Sequence, residues 1–259
     1  LAGAVVRAQE EGAQVQIATN VQLKNAIDAS VRNASFQTGV LFLRNRDFDP
    51  DLLAFIEKEG TPYLIEGAKN YSKYNWMDID NRDAMRQIVD HLYGLGHRKF
   101  GIFQMKKKKG IRSHFFERHE AVLERLLELK IPPSDITTVS FPVGAEMERM
   151  AYELSPAFFK TSNRPDAIIC VSDFLASGLI LWLERNGYKI PKDVAVTGFD
   201  DNPISCYLDP PLTTIRQDYY ELGHLAVENL LRVMTDYVNR HLQVKVKLDL
   251  KIRASTVGS

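Results

Sequence analysis

The sequence predicts an α/β protein of two lobes, each a doubly wound parallel sheet covered by helices. Three observations lead there. Apolar runs of strand length alternate with stretches of helical periodicity along nearly all of the 259 residues. Most of these runs are apolar throughout, as strands buried on both faces are. Their number exceeds what one compact open sheet uses, and the length suits roughly two domains of ~100–150 residues.

Leu1, Val5, Ala8 and Gln9 recur at helical spacing, and Gly12 ends that helix. Val15 and Ile17 alternate with Gln14 and Gln16, which reads as a short strand. Val21, Lys24, Ile27 and Val31 mark a second helix, and residues 39–43 a buried strand. Asp49-Pro50 places a cap and a first-turn proline before a helix that stops at Gly60. Residues 62–66 are a strand and 67–76, polar and aromatic, a loop. Met85, Ile88, Val89 and Leu92 line one face of a helix from Asn81 to about Leu95, closed by Gly94 and Gly96. Strands follow at 99–104, 136–141, 166–171 and 193–199, with helices at 115–130, 144–155 and 173–186 between them. A long amphipathic helix covers 218–238. From Val244 to Ile252 apolar and polar residues alternate, so this reads as one half-buried strand at a sheet edge.

Composition narrows the class. Lys and Arg number 33 and Asp and Glu 33, so the formal charge is zero. A domain that grips nucleic acid by counterion release needs a basic surplus, which this chain lacks. With 45% apolar and 25% charged residues the chain is ordinary globular material. Two cysteines exclude a disulfide framework and show no zinc spacing. The most apolar stretch, 167–183, is too short and too polar to span a bilayer, and the first residues lack the features of a secretory leader.

Catalytic signatures are missing. Gly94-Leu95-Gly96 follows a helix and lacks the third glycine of a dinucleotide fingerprint. There is no P-loop and no nucleophile elbow, and the six histidines show no ligand spacing, so no enzyme, metal or cofactor is expected. Strand ends carry more. Ser172-Asp173 closes an apolar strand and opens a helix, which a helix cap alone explains. Phe199-Asp200-Asp201-Asn202-Pro203 ends another; it suits the hydroxyls of a sugar, or equally a capped turn.

Several segments in fixed order resemble the lactose/galactose-repressor family of bacterial transcription regulators. They are Asp80-Asn81 with His91-Leu92 and Leu95-Gly96-His97-Arg98, residues 165–173, residues 190–201, and the run Pro210-Pro211-Leu212-Thr213-Thr214-Ile215-Arg216-Gln217. The resemblance runs along nearly the whole chain and is strongest from 165 to 235. It implies an effector-binding core of the periplasmic-binding-protein-like type I fold, two lobes joined by three crossovers. Residues 1–94 and 216–238 would form the first lobe, and 95–215 and 239–259 the second. A DNA-reading headpiece would lie upstream, and the family's first core strand would be missing, because Leu1 already opens a helix.

The resemblance also implies function. Effector binding between the lobes would drive a hinge closure that sets operator affinity in a cytoplasmic homodimer. Arg118 takes the arginine position of a segment whose glycine and aromatic are here replaced; apart from the family, a solvated helix-face arginine accounts for it. Asp173, Asp200 and Gln217 match polar positions at strand ends and at the last crossover. Glu66 stands one residue from an acid after the third strand, and Phe174 would pack an apolar sugar face or the core. Lys106-Lys107-Lys108-Lys109 departs from the family. Residues 98–130 hold ten basic and four acidic residues, which reads as a solvated loop or as a site for a phosphorylated sugar. The second reading of the chain is an exported sugar-binding protein feeding a transporter.

Overall fold

A computed structural model describes residues 1–32, 37–43, 49–67, 73–107, 113–160, 162–235 and 241–258. In chain order the first elements are helices α1 (Ala2–Glu10) and α2 (Asn20–Arg32), strand β1 (Val40–Phe42), α3 (Pro50–Lys58), β2 (Tyr63–Glu66) and β3 (Trp76–Ile79). Then come α4 (Asn81–Gly94), β4 (Phe100–Met105), α5 (His114–Glu128), β5 (Ile136–Phe141), α6 (Met147–Leu154) and β6 (Ala167–Ile169). The chain continues through α7 (Asp173–Arg185), β7 (Ala195–Thr197), a 3-10 turn (Pro203–Cys206), β8 (Thr214–Arg216) and α8 (Tyr219–Thr235). It closes with β9 (Gln243–Val246), β10 (Asp249–Lys251) and α9 (Ala254–Val257).

The chain divides into two compact units, one of residues 1–79 and 218–246, the other of 80–217 and 247–259. The first holds a parallel sheet in the order β1-β2-β3-β9. Ile27, Leu52, Ile56 and Trp76 pack one cluster against it and Leu64, Met77, Ala226 and Leu230 another. Helix α1 lies so close to α8 that a Cβ on Gly3 would sit 1.8 Å from the Tyr220 carbonyl oxygen. Glycine there is a packing requirement, not a turn signal.

The second unit holds a parallel sheet in the order β5-β4-β6-β7 and an antiparallel pair, β8 with β10. Its core is Phe103, Phe141, Phe158, Ile168, Leu175, Leu179, Leu183 and Val196, all essentially without solvent contact. Parallel strands buried on both faces explain the unbroken apolar runs. The two caps expected from the sequence are present: Asp49 accepts from the Asp51 and Leu52 amides, and Ser172 from that of Phe174. Asp80, which accepts from the Asp83 amide, caps α4 as a third that was not foreseen.

Four local expectations are corrected. Residues 15–17 form no strand; Val15 and Ile17 are exposed, and an alternating tract becomes a strand only beside a hydrogen-bonding neighbour. The segment read as a loop up to 76 gives way to β3, whose four residues are all buried between β2 and β9. The single edge strand at 244–252 is two strands. β9 extends the first sheet beside β3, and β10 pairs with β8, a strand not foreseen as one. The unit boundaries differ accordingly. Helix α4 belongs to the second unit, because its buried face of Ala84, Met85, Ile88, Val89 and Leu92 is covered by α5 and β10, and Arg82 reaches Glu124 on α5. Residues 241–246 belong to the first unit through β9. Among the described residues no helix is long and apolar enough to cross a membrane.

Candidate functional site

Three strand-to-helix or strand-to-turn junctions meet at the carboxyl end of the second sheet, where open α/β sheets place their ligands. Strand β4 leads into α5, which carries Arg118 on its second turn; β6 leads through Val171 and Ser172 into α7; β7 leads into Phe199-Asp200-Asp201.

Arg118 is 4% exposed, so it is not a solvated helix-face residue. Its Nε donates to Asn81 Oδ1 at 2.9 Å and its Nη1 to the Val171 carbonyl at 2.7 Å. Nη2 pairs with Asp200 Oδ1 at 3.4 Å, and the guanidinium lies 3.4 Å above the Phe199 ring. A planar fork held on separate sides by fixed acceptors and stacked on an aromatic face is a use of arginine that lysine cannot copy.

Asp200 has φ of +110° and Asp201 of +53°, a backbone region that L-residues with side chains enter only when their surroundings impose it. The surroundings are visible. The Asp200 amide donates to the Ile215 carbonyl, its own carbonyl accepts from the Gln217 amide, and its Oδ2 accepts from Ser172 Oγ at 3.4 Å. Asp201 is held by Arg253 Nη2 at 2.7 Å. Such strain clusters at ligand clamps.

The six expected contact residues fall into three groups. Arg118, Asp200 and Gln217 are joined in one hydrogen-bonded set, and Phe174, 39% exposed, opens α7 beside Ser172. Asp173 is placed otherwise. It has no solvent exposure, its Oδ1 accepts from Thr214 Oγ1 at 2.6 Å, and its Oδ2 accepts from the Asn202 amide and Ser205 Oγ, both at 2.7 Å. All three of these partners are internal donors, so a direct ligand contact is not what this geometry provides. Glu66 ends β2 of the first unit, half-buried.

Sequence reasoning missed Asn81. It is wholly buried, accepts from Arg118, and donates to Glu117 Oε2 at 3.0 Å. Asp80-Asn81 was legible only as a helix start, and the partner that gives Asn81 its second role is 37 residues away. Of the lysine run, Lys107 pairs with Glu120 at 2.6 Å, while Lys108 and Lys109 lie outside the described residues. Among the described residues no cluster of three or more His, Cys, Asp or Glu side chains is placed to hold a metal ion.

Residues 89–256 match the family model of a periplasmic binding protein-like domain. The HTH-type transcriptional regulator reg1 of Streptomyces lividans is 29% identical over 214 residues, covering 77% of this chain and 57% of its own length. The ribose operon repressor of Haemophilus influenzae is 33% identical over 149 residues, 58% of this chain and 42% of its own. The chain thus spans about half the length of these curated relatives. A regulatory protein of the LacI family from Chloroflexus aggregans superposes with a TM-score of 0.78 at 25% identity, over 98% of this chain and 90% of that one. A LacI-family regulator from Enterococcus faecium with bound ribose gives 0.75 at 20% identity, over 98% and 91%. Family match, relatives and fold agree: this chain belongs to the periplasmic binding protein-like domain family, as an effector-binding core of the lactose/galactose-repressor type.

Proposed function

We propose that this core binds a small sugar or sugar derivative and belongs to a cytoplasmic, homodimeric repressor whose helix-turn-helix headpiece reads operator DNA. The observation that carries the reading is the pairing of buried Arg118 with half-buried Asp200 at the carboxyl end of the second sheet, with Asp200 held in a strained conformation. A carboxylate and an arginine fork fixed side by side offer an acceptor and donors at set positions, which is what vicinal hydroxyls need. Phe174 adds an exposed apolar face, and the Gln217 backbone amide, bonded to the Asp200 carbonyl, helps to hold Asp200 in place. The ribose operon repressor and the ribose-bound neighbour support a pentose as the first probe. The relatives are transcriptional regulators, which favours this reading over an exported transport protein.

The site acts by differential affinity. An effector that binds one state of the core better shifts its equilibrium, and operator affinity follows by the same coupling free energy, typically ~1–3 kcal/mol. The test is a thermal-shift and calorimetric titration with ribose, its 5-phosphate, disaccharides and nucleosides. A true ligand at a hundredfold excess over its Kd adds about 2.7 kcal/mol to stability. Asp200→Asn should weaken that ligand by more than about tenfold, since it exchanges a charged acceptor for a neutral amide. No stabilisation by any member of the panel would overturn the sugar reading.

A further inference from the structure

Asp173 is a buried carboxylate with no cation on it among the described residues. Its three partners are two hydroxyls and one amide, and they come from three separate places: Thr214 on β8, Ser205 in the 3-10 turn and the backbone of Asn202. Its own amide donates to the Phe199 carbonyl at 2.9 Å. One residue, through its side chain and its own amide, therefore ties the start of α7 to both ends of the 199–205 turn and to the neighbouring strand. Even Gly198 serves it: a Cβ there would stand 2.3 Å from Asp173 Oδ1. The strained residues Asp200 and Asp201 sit inside the segment so tied.

We propose that Asp173 is the positioning residue of the Asp200–Ser205 turn, and that the turn opens and closes in step with a proton on the Asp173 carboxyl. This rests on the reading of Asp200 as a ligand contact for its functional meaning, though not for its geometry. The ionisable groups around Asp173 do not compensate its charge. Cys170, just after β6, is a buried thiol pushed further up by Asp173 itself, and Asp200 adds a second negative charge. Arg118 and Arg253 are directed to Asp200 and Asp201, and the side chain of Arg216 is solvent-exposed. Burying an unpaired charge is costly, and neutral donors only partly offset it.

The direction follows by linkage. Burial, the largest cause, pushes the Asp173 carboxyl up to about 6, against the pull of its three hydrogen bonds. An opened turn returns it to water and to its ordinary value of 3.8. Between these values the closed turn holds a proton that the open turn releases, so closure is favoured on the acid side and opening grows easier as pH rises.

Hydrogen exchange at the Asn202 amide, corrected for the intrinsic rate, reads the opening directly in the ligand-free chain. From about pH 5 to about pH 7 its protection should fall by roughly tenfold. Asp173→Asn, neutral at every pH, should abolish that step while leaving pH effects from the histidines in place. Wild-type protection that does not fall, or an equal fall in the variant, overturns the proposal. Should the variant fail to fold, the carboxyl-carbon titration of Asp173 in the wild-type chain decides: a midpoint near 6 supports the latch and one near 3.8 rejects it. Failure to bind ribose would sink the sugar reading and leave these outcomes untouched.

Discussion

Arg118 and Gly198 show how much one position carries here. Arg118 spends its fork on Asn81, Val171 and Asp200 at once. Arg118→Lys keeps the charge but serves at most a single-point contact, so effector affinity should drop by about tenfold or more with the fold intact by circular dichroism. Gly198→Ala acts on the other side of the same turn. Its methyl would meet Asp173 Oδ1 at 2.3 Å and Leu212 Cδ2 at 2.7 Å. Urea unfolding should show a loss of about 1–3 kcal/mol, the usual cost of overpacking. A neutral result would mean that the turn has slack the structure does not suggest.

Elements are locked to each other by close approach and by helix-face ion pairs. Gly178 lets α7 run against the end of α6, where an added Cβ would stand 2.0 Å from the Glu148 carbonyl oxygen. That backbone has no free direction in which to retreat, so Gly178→Ala should lower Tm by several degrees, as a loss of ~1–3 kcal/mol does. Helix α5 carries a second liability. His119 is buried, its Nε2 has no hydrogen-bond partner among the described residues, and burial lowers its pKa below 6.5. The unfolded chain takes up a proton near pH 6.5 that the folded chain resists. The stability His119 contributes is present above 6.5 and lost as pH falls below it, opposite in sign to Asp173. Denaturant midpoints measured between about pH 7.5 and about pH 5.5 should fall in the wild type and fall less in His119→Gln. Equal slopes would assign the loss elsewhere, His91 being similarly lowered by burial.

At the scale of the molecule the chain crosses between its two units three times, at 79/80, 217/218 and 246/247. Each unit is discontinuous in sequence: β9, from the far end of the chain, completes the first unit's sheet, and β10 pairs with β8 in the second unit beside its four-stranded sheet. The regulatory reading predicts reciprocity. In the protein that carries the headpiece, saturating operator must change ribose affinity by the same factor that saturating ribose changes operator affinity, measured by calorimetry and by fluorescence anisotropy. Unequal factors would mean that the two ligands do not share one equilibrium.

The α/β class, most strands and helices, and the caps at Asp49 and Ser172 could be read from the chain, because strand burial, helix periodicity and end-capping are local and leave local patterns. The ordered motifs also brought Arg118, Asp200 and Gln217 forward. Longer-range facts left no such pattern. Strand β3 hides in a polar and aromatic stretch because its neighbours β2 and β9 bury it, and the alternation from 244 to 252 gives no sign that its halves serve different sheets. Asp173 and Asp200 look alike as acids at strand ends. Only the fold decides that one is enclosed by Thr214, Ser205 and Asn202 while the other faces Arg118, because those partners stand 29 or more residues away along the chain. Sequence alone determined most of the elements and the chemistry that waits at their ends; tertiary packing decided the rest, including which carboxylate faces an arginine and which is enclosed by neutral donors, since solvation is a property of neighbours in space.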